Sequence, residues 1–308
     1  MTEEAKKELV KIYPRSIDKD RYLERVTGPR GGNRSYKLYD SDDETVFPSV
    51  TTVLGSLSKP AIPNWYAKKV AEKAGEYWKN EYKPRHDTPV EDFIKDIKSA
   101  PREEFMRAGK IGTEAHDCIN RIIQNKMDDG YGSFREVGKY ITDDFDFNYD
   151  EAKNAVNSWI EWVSNPNRNF SFLESEFGTY HKADDGYVRY AGTVDAIASL
   201  PDGNLPTLVV FDWKTGSDIY AESGLQISAY CNSIWMGKDW QDMRNKYQRI
   251  IGCIVKLGTT EHPDNKVKFV RDWRLGYNTF SALTEVHLDM SMQSNTLLTG
   301  NIGEVLTR

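Results

Sequence analysis

Cysteine is scarce in this 308-residue chain: Cys118, Cys231 and Cys253 are odd in number and far apart. Such a set builds no disulfide framework, no zinc spacing and no four-thiolate iron–sulfur site. It fits a reducing, cytoplasmic-type compartment. Long apolar runs are missing too. Stretches such as Leu208-Val209-Val210-Phe211 fall far short of the ~20 residues of a membrane-spanning helix, so no membrane partner is expected. The opening MTEEAKKELVKIYP lacks the apolar segment of a secretory signal. With 22 Gly and 12 Pro, the chain is neither collagen-like nor low in complexity. A basic excess is also absent, since 41 Lys and Arg stand against 47 Asp and Glu, for a net charge of −6.

What is present is a globular composition, 39% apolar and 29% charged, rich in aromatics (eight Trp, 17 Tyr, 12 Phe). The length suits one or two domains with a sizeable core. Charge is unevenly spread. Residues 59–110 hold 12 Lys and Arg against nine Asp and Glu, interleaved with Trp65, Tyr66, Tyr77, Trp78, Tyr82, Phe93 and Phe105. Basic side chains among rings suit a nucleic-acid single strand, whose phosphates need charge and whose bases stack. Amphipathic helices with solvated lysines and buried rings would give the same pattern, so this stretch alone decides nothing.

Periodicity sets a coarse order. Residues 20–47 alternate around glycines and predict a β-hairpin, and Ser49 is a candidate N-cap for a short helix over 50–54. Residues 62–165 follow a helical pattern, with breaks expected near Pro84–Pro89, at Pro101 and around Gly130–Gly132. The pattern then changes to strands over 170–180, 187–200 and 207–214, with a turn at 201–204. A helix over 224–236, strands over 248–257 and 266–273 and a closing helix over 278–297 follow. The expectation is α/β, a central mixed sheet flanked by helices.

Acids recur on those strands. Alternation places Val210, Asp212 and Lys214 on one face of the third strand and Val209, Phe211 and Trp213 on the other. An acid and a lysine two residues apart read either as a structural ion pair or as a metal ligand beside a cationic catalyst. The turn at 201–204 would bring Asp195, in Gly192-Thr193-Val194-Asp195, towards Asp212. Two close carboxylates repel unless they are protonated or share a cation. Glu174 and Glu176 add acids on the strand before, completing a set suited to a hard divalent ion.

The order Glu, Gly-Thr-Val-Asp, Asp-Trp-Lys resembles the PD-(D/E)XK nuclease superfamily, and within it the RecB-like exonuclease branch. Gly112-Thr113-Glu114-Ala115-His116 resembles that branch's Gly-x-x-x-His segment, and Gln226-Ile227-Ser228-Ala229-Tyr230 its Gln-x-x-x-Tyr helix. Pro48-Ser49-Val50-Thr51-Thr52-Val53-Leu54, followed by Trp65, is similar to mitochondrial genome maintenance exonucleases and related phage proteins. The likeness spans about residues 47–235. Val194 stands where the superfamily's name has proline, and Gly192 supplies the branch's Gly-x-x-Asp form.

The resemblance implies a restriction-endonuclease-like fold: an amino-terminal extension over 1–47 and one nuclease domain over 48–308. Within that domain, 59–127 would form a helical arch before the sheet, and 170–235 the catalytic core. It implies a metal-dependent exonuclease acting on single-stranded DNA in recombination or repair, the alternatives being a structure-specific endonuclease and a catalytically silent binding module. Asp195, Asp212, His116 and the Trp213 carbonyl would hold Mg2+ or Mn2+, the imidazole favouring Mn2+. No iron–sulfur cluster is expected. Glu176, favoured over Glu174 because bulky Phe177 follows it, would be the upstream acid. Lys214 would position the attacking water, oriented by Gln226 and Tyr230, while Trp65, Lys68, Lys69 and Thr215 would touch the strand. A single-strand-binding protein or recombinase is the implied protein partner, and the cytoplasm, a bacterial host's for a phage protein, the implied location.

Overall fold

A computed structural model describes residues 6–12, 22–27, 34–39, 45–57, 59, 61–79, 90–128, 145–165, 167–202, 205–259 and 264–297. The chain opens on a four-stranded antiparallel sheet of β1 (Lys6–Lys11), β2 (Tyr22–Thr27), β3 (Arg34–Leu38) and β4 (Phe47–Pro48), in that spatial order. The hairpin expected over 20–47 is its β2–β3 centre. The outer strand β1 was not anticipated, because in Lys6–Lys11 only Val10 turns inward among charged neighbours. Glu24 is held by Lys7 and Lys37 from the two flanking strands, each 3.0 Å away.

Ser49 caps α1 (Val50–Leu54), its Oγ accepting from the Thr52 N–H at 2.9 Å. Next come α2 (Ala61–Lys79) and α3 (Val90–Asp128). Helix α3 continues through Pro101, where a break was expected. Proline forfeits one backbone bond and crowds the preceding turn. Here its ring is buried and the ladder resumes on both sides. The other two expected breaks, at 84–89 and 130–132, lie outside the described residues.

Along α3, Ile111, Ala115, Cys118, Ile119, Ile122 and Ile123 recur at three- and four-residue spacing and are buried. Together with α4 (Asp150–Val163) they cover one face of a second sheet. That sheet has the order β5 (Ser171–Lys182), β6 (Val188–Asp202), β7 (Leu205–Lys214), β8 (Arg249–Lys256) and β9 (Lys266–Val270). The first three strands form an antiparallel meander, β7 and β8 are parallel, and β9 returns antiparallel. A parallel neighbour needs a crossover, supplied by α5 (Ala221–Met236). A 3-10 turn at Lys238–Trp240 and α6 (Gln241–Lys246), neither anticipated, lead into β8. The closing helix α7 (Trp273–Leu297) begins earlier than predicted, and with α1 and α5 it covers the opposite face.

The result is a mixed α/β fold with a central sheet flanked by helices. Strand β7 is its axis, buried from Thr207 to Trp213. Trp213 turns into the α4 side, edge-on to Trp159 with ring centres 6.0 Å apart. Each such buried side chain contributes roughly 2–3 kcal/mol through area removed from water. The two sheets meet through bridges between Ile12 and Gly178 and between Ser49 and Ala191. No helix among the described residues is long and apolar enough to cross a membrane.

Candidate metal centre

Register builds the site. Ser175 pairs with Ala196 and Phe177 with Val194, which sets Glu176 opposite Asp195. Ala196 pairs with Phe211, so carrying the register one residue further sets Asp195 opposite Asp212. Three acids therefore lie in one row across β5, β6 and β7. The β6–β7 ladder ends at Ala196–Phe211, one residue short of that row, while β5 and β6 stay paired beyond it. Glu176 has a left-handed backbone (φ 47°), a conformation uncommon in residues other than glycine and enriched at functional sites. Asp195 spends Oδ2 on the Trp213 N–H at 2.6 Å.

Helix α3 runs along this edge. His116, Asn120 and Gln124, one turn apart, line the same side of the helix. Gln124 bonds Glu174 and Ser175 (2.7 and 2.9 Å), and Asn120 accepts from Ser175 (2.5 Å). His116 Nδ1 lies 3.3 Å from Asp195 and 3.9 Å from Glu176. Glu174 is thus held in a structural seam, and Glu176 is the acid that faces the histidine. His116, Glu176 and Asp195 each offer one ligand atom, all within 4.8 Å of one another. This cluster can hold a divalent cation.

Asp212, expected among the ligands, instead faces Lys214 Nζ with its two oxygens at 2.9 and 2.8 Å. Lys214 also donates to Gln226 Oε1 (3.0 Å), whose amide donates to the Tyr230 hydroxyl (3.3 Å). Gln226 and Tyr230, one turn apart on α5, thereby fix the lysine. Gly192 is what lets Tyr230 lie there: a Cβ on it would stand 2.5 Å from the ring. Trp213 contributes its backbone N–H to Asp195, and its side chain belongs to the core.

The protons follow this geometry. Burial works against the His116 imidazolium, but the charge and hydrogen bond of Asp195, with Glu176 adding to them, outweigh it and raise its pKa to about 9. Burial, then the charge of Asp195, raises Glu176 to about 7. Burial raises Asp212 to about 6 against the pull of Lys214. Burial also opposes ionisation of Asp195, yet His116, Lys214 and the Trp213 N–H hold it below the usual carboxylate range. The Asp212 Oδ2 is buried and receives no well-directed hydrogen bond. Three adjacent acids beside an imidazole, with Asp212 Oδ2 compensated only by the Lys214 charge 2.8 Å away, fit a bound divalent ion, which would offset their repulsion and displace protons.

A cavity of about 300 Å³ opens on this row. Arg25, Arg34, Tyr36, Ser49 and Thr51 of the amino-terminal segment line its far wall, none of them anticipated as site residues. Ser49 and Thr51 lie in the Pro48–Leu54 motif, whereas the only sequence signal for Arg25 and Tyr36 is the alternation that puts them side by side in register. Trp65, Lys68 and Lys69 do not line it. Both lysines pair with Glu72 on α2, and Trp65 packs edge-on to Tyr66. Thr215 packs its hydroxyl where a Cβ on Gly112 would fall, 3.2 Å away.

No protein-family model matches the chain. No curated protein matches it. Among solved structures it is similar to one described as the crystal structure of SSO0001, with 15% identity and a TM-score of 0.23. That match covers 37% of this chain and 49% of the other, so the chain spans about half of it. A likeness this slight carries no argument about fold or activity.

Proposed function

We propose that the chain is a metal-dependent phosphodiesterase with a restriction-endonuclease-like core, acting as an exonuclease on single-stranded DNA with Mg2+ or Mn2+. The observation that carries this reading is the row Glu176–Asp195–Asp212 with His116 at one end and the Lys214–Gln226 pair at the other. That order of groups is what phosphodiester hydrolysis asks for. His116, Glu176 and Asp195 would hold the ion, with Asp212 beside them in the same row and paired to Lys214. A bound divalent ion supplies Lewis-acid shielding of the phosphate and a more acidic water.

The chain's own residues do the rest. Lys214, already donating to Asp212 and Gln226, orients a water for attack and offsets charge gathering on the phosphate oxygens. Gln226 and Tyr230 hold the lysine in place. Support for a single strand comes from α2 and the first half of α3. They pack on each other and expose Tyr66, Trp78 and Phe105, with Trp78 87% exposed. Rings of this kind, among lysines, stack on unpaired bases.

The experiment incubates linear single-stranded DNA, labelled at either end, with Mg2+, Mn2+ or EDTA, alongside a closed circle. Metal-dependent loss of the linear strand with the circle intact is expected. Cutting of the circle would replace the exonuclease by an endonuclease. Binding without cleavage under either metal would leave only a binding module.

A further inference from the structure

Beside the acid-lined cavity lies a second one of about 880 Å³ along α3, lined in part by Phe105, Lys110, Arg121, Phe147 and Tyr149. The two cavities share Arg34, Gly109, Thr113 and Asp117. Arg34 is the cation at their junction. A strand lying in the aromatic groove with one bond at the metal centre must therefore pass it.

The charges around Arg34 single it out. His116 and Lys214 already face Asp195, Glu176 and Asp212. Arg25 is committed to Glu8 at 2.5 Å and lies 3.4 Å from the Thr193 hydroxyl. Arg34 forms no ion pair with any carboxylate among the described residues, and it is exposed. Its backbone, by contrast, is clamped. The Arg34 N–H donates to Thr52 Oγ1 (3.1 Å), and the Arg34 carbonyl accepts from Thr52 Oγ1 (2.7 Å) and the Ser49 N–H (3.2 Å). Ser49 Oγ in turn donates to Thr52 Oγ1 (2.9 Å). The Pro48–Leu54 motif thus fixes where the guanidinium starts.

We propose that Arg34, held by Ser49 and Thr52, binds the phosphate next to the scissile one and sets which bond of the strand reaches the metal centre. This rests on the nuclease reading and adds a subsite to it. The guanidinium fork matches two phosphate oxygens. Thr52 is a positioning residue that acts through Arg34. The phosphate is either an internal diester or the monoester at a strand end, and the substrates distinguish the two.

The test measures KM and kcat with Mn2+ on oligothymidylate carrying a phosphate or a hydroxyl at each end, and anisotropy binding of the same strands with Ca2+ at several salt concentrations. Arg34→Ala truncates an exposed side chain whose backbone bonds remain, and thermal melting checks the fold. Expected is a rise in KM of about tenfold or more with kcat within about threefold, and a salt slope shallower by about 0.7. Thr52→Val should raise KM in the same direction and Thr52→Ser should restore it. A KM change confined to end-phosphorylated strands assigns the monoester; one shared by all strands assigns the diester.

Wild-type cleavage with Arg34→Ala unchanged in KM and salt slope would overturn the subsite and leave the nuclease standing. Absence of wild-type cleavage, with binding still weakened by Arg34→Ala, would overturn the nuclease and keep a phosphate subsite. Neither cleavage nor binding would overturn both.

Discussion

Adding one methyl group at Gly192 probes the packing that holds the lysine in place. In Gly192→Ala the new Cβ would stand 2.5 Å from Tyr230 Cε1 and 3.2 Å from its hydroxyl oxygen, against an optimum near 3.5–4.0 Å. The ring must shift by roughly 1 Å. It is buried, 4% exposed, and its hydroxyl is bonded to Gln226, so the shift is not free. Overpacking of this kind costs about 1–3 kcal/mol, offset by about 0.5–1 kcal/mol because alanine suits a strand better than glycine. The net expectation is a loss of about 1–2 kcal/mol in urea unfolding, together with a fall in any turnover that depends on Lys214. Gly216→Ala is the control. A Cβ there meets nothing within 4 Å, so stability should hold or rise by up to about 1 kcal/mol. In a Tyr230→Ala background the clash is gone and the Gly192 methyl should stabilise by about 0.5–1 kcal/mol, giving a coupling of about 1–3 kcal/mol. Equal stability of Gly192→Ala and wild type, or additive effects in the double variant, would refute this reasoning.

Three further outcomes follow from the same geometry. Mn2+ affinity measured by calorimetry should rise about a hundredfold per pH unit between 6 and 7, then about tenfold per unit up to 9. The ion displaces protons from both Glu176 (about 7) and His116 (about 9) in the first window and from His116 alone in the second; a flat profile would contradict it. Glu176→Gln should weaken Mn2+ binding while Glu174→Gln leaves it near wild type, since Glu174 is bonded to Gln124; equal effects would undo the distinction. Lys214→Met should abolish turnover and push the Asp212 pKa above about 6, because the lysine's charge now pulls it down. The stability cost should be about 1–3 kcal/mol, below that of a fully buried pair because Lys214 is partly exposed. Carboxylate NMR and urea unfolding would check both.

Much of the site could be read in the sequence because its spacing is local. Two alternating strands joined by a tight turn place Asp195 against Asp212, and one helical turn places Gln226 beside Tyr230. What escaped depends on breaks in regularity and on distant contacts. A bulge between Phe172 and Glu174 and the left-handed Glu176 were not foreseen, since no period-2 pattern encodes either, although Glu176, favoured because Phe177 follows it, is the acid that faces His116. Lys214, two residues from Asp212 on a regular strand, turns back onto it, so a residue expected as a free metal ligand appears as an ion-pair partner. Arg25 and Arg34 reach the cavity only because the first sheet docks on the second through Ile12 and Ser49, a contact that composition cannot announce. Pro101 misled for the opposite reason: a strong local breaker is overridden inside a helix of 39 residues.

The most direct test of the metal centre is cleavage of single strands whose linkages are all one phosphorothioate diastereomer, compared in Mg2+, Mn2+ and Cd2+, with Asp195→Asn in parallel. If an ion held by His116, Glu176 and Asp195 contacts the scissile phosphate, one diastereomer should be cut slowly in Mg2+, recover in Mn2+ or Cd2+, and stay uncut by the variant. Equal rates for both diastereomers in every metal, or unchanged cleavage by Asp195→Asn, would contradict it.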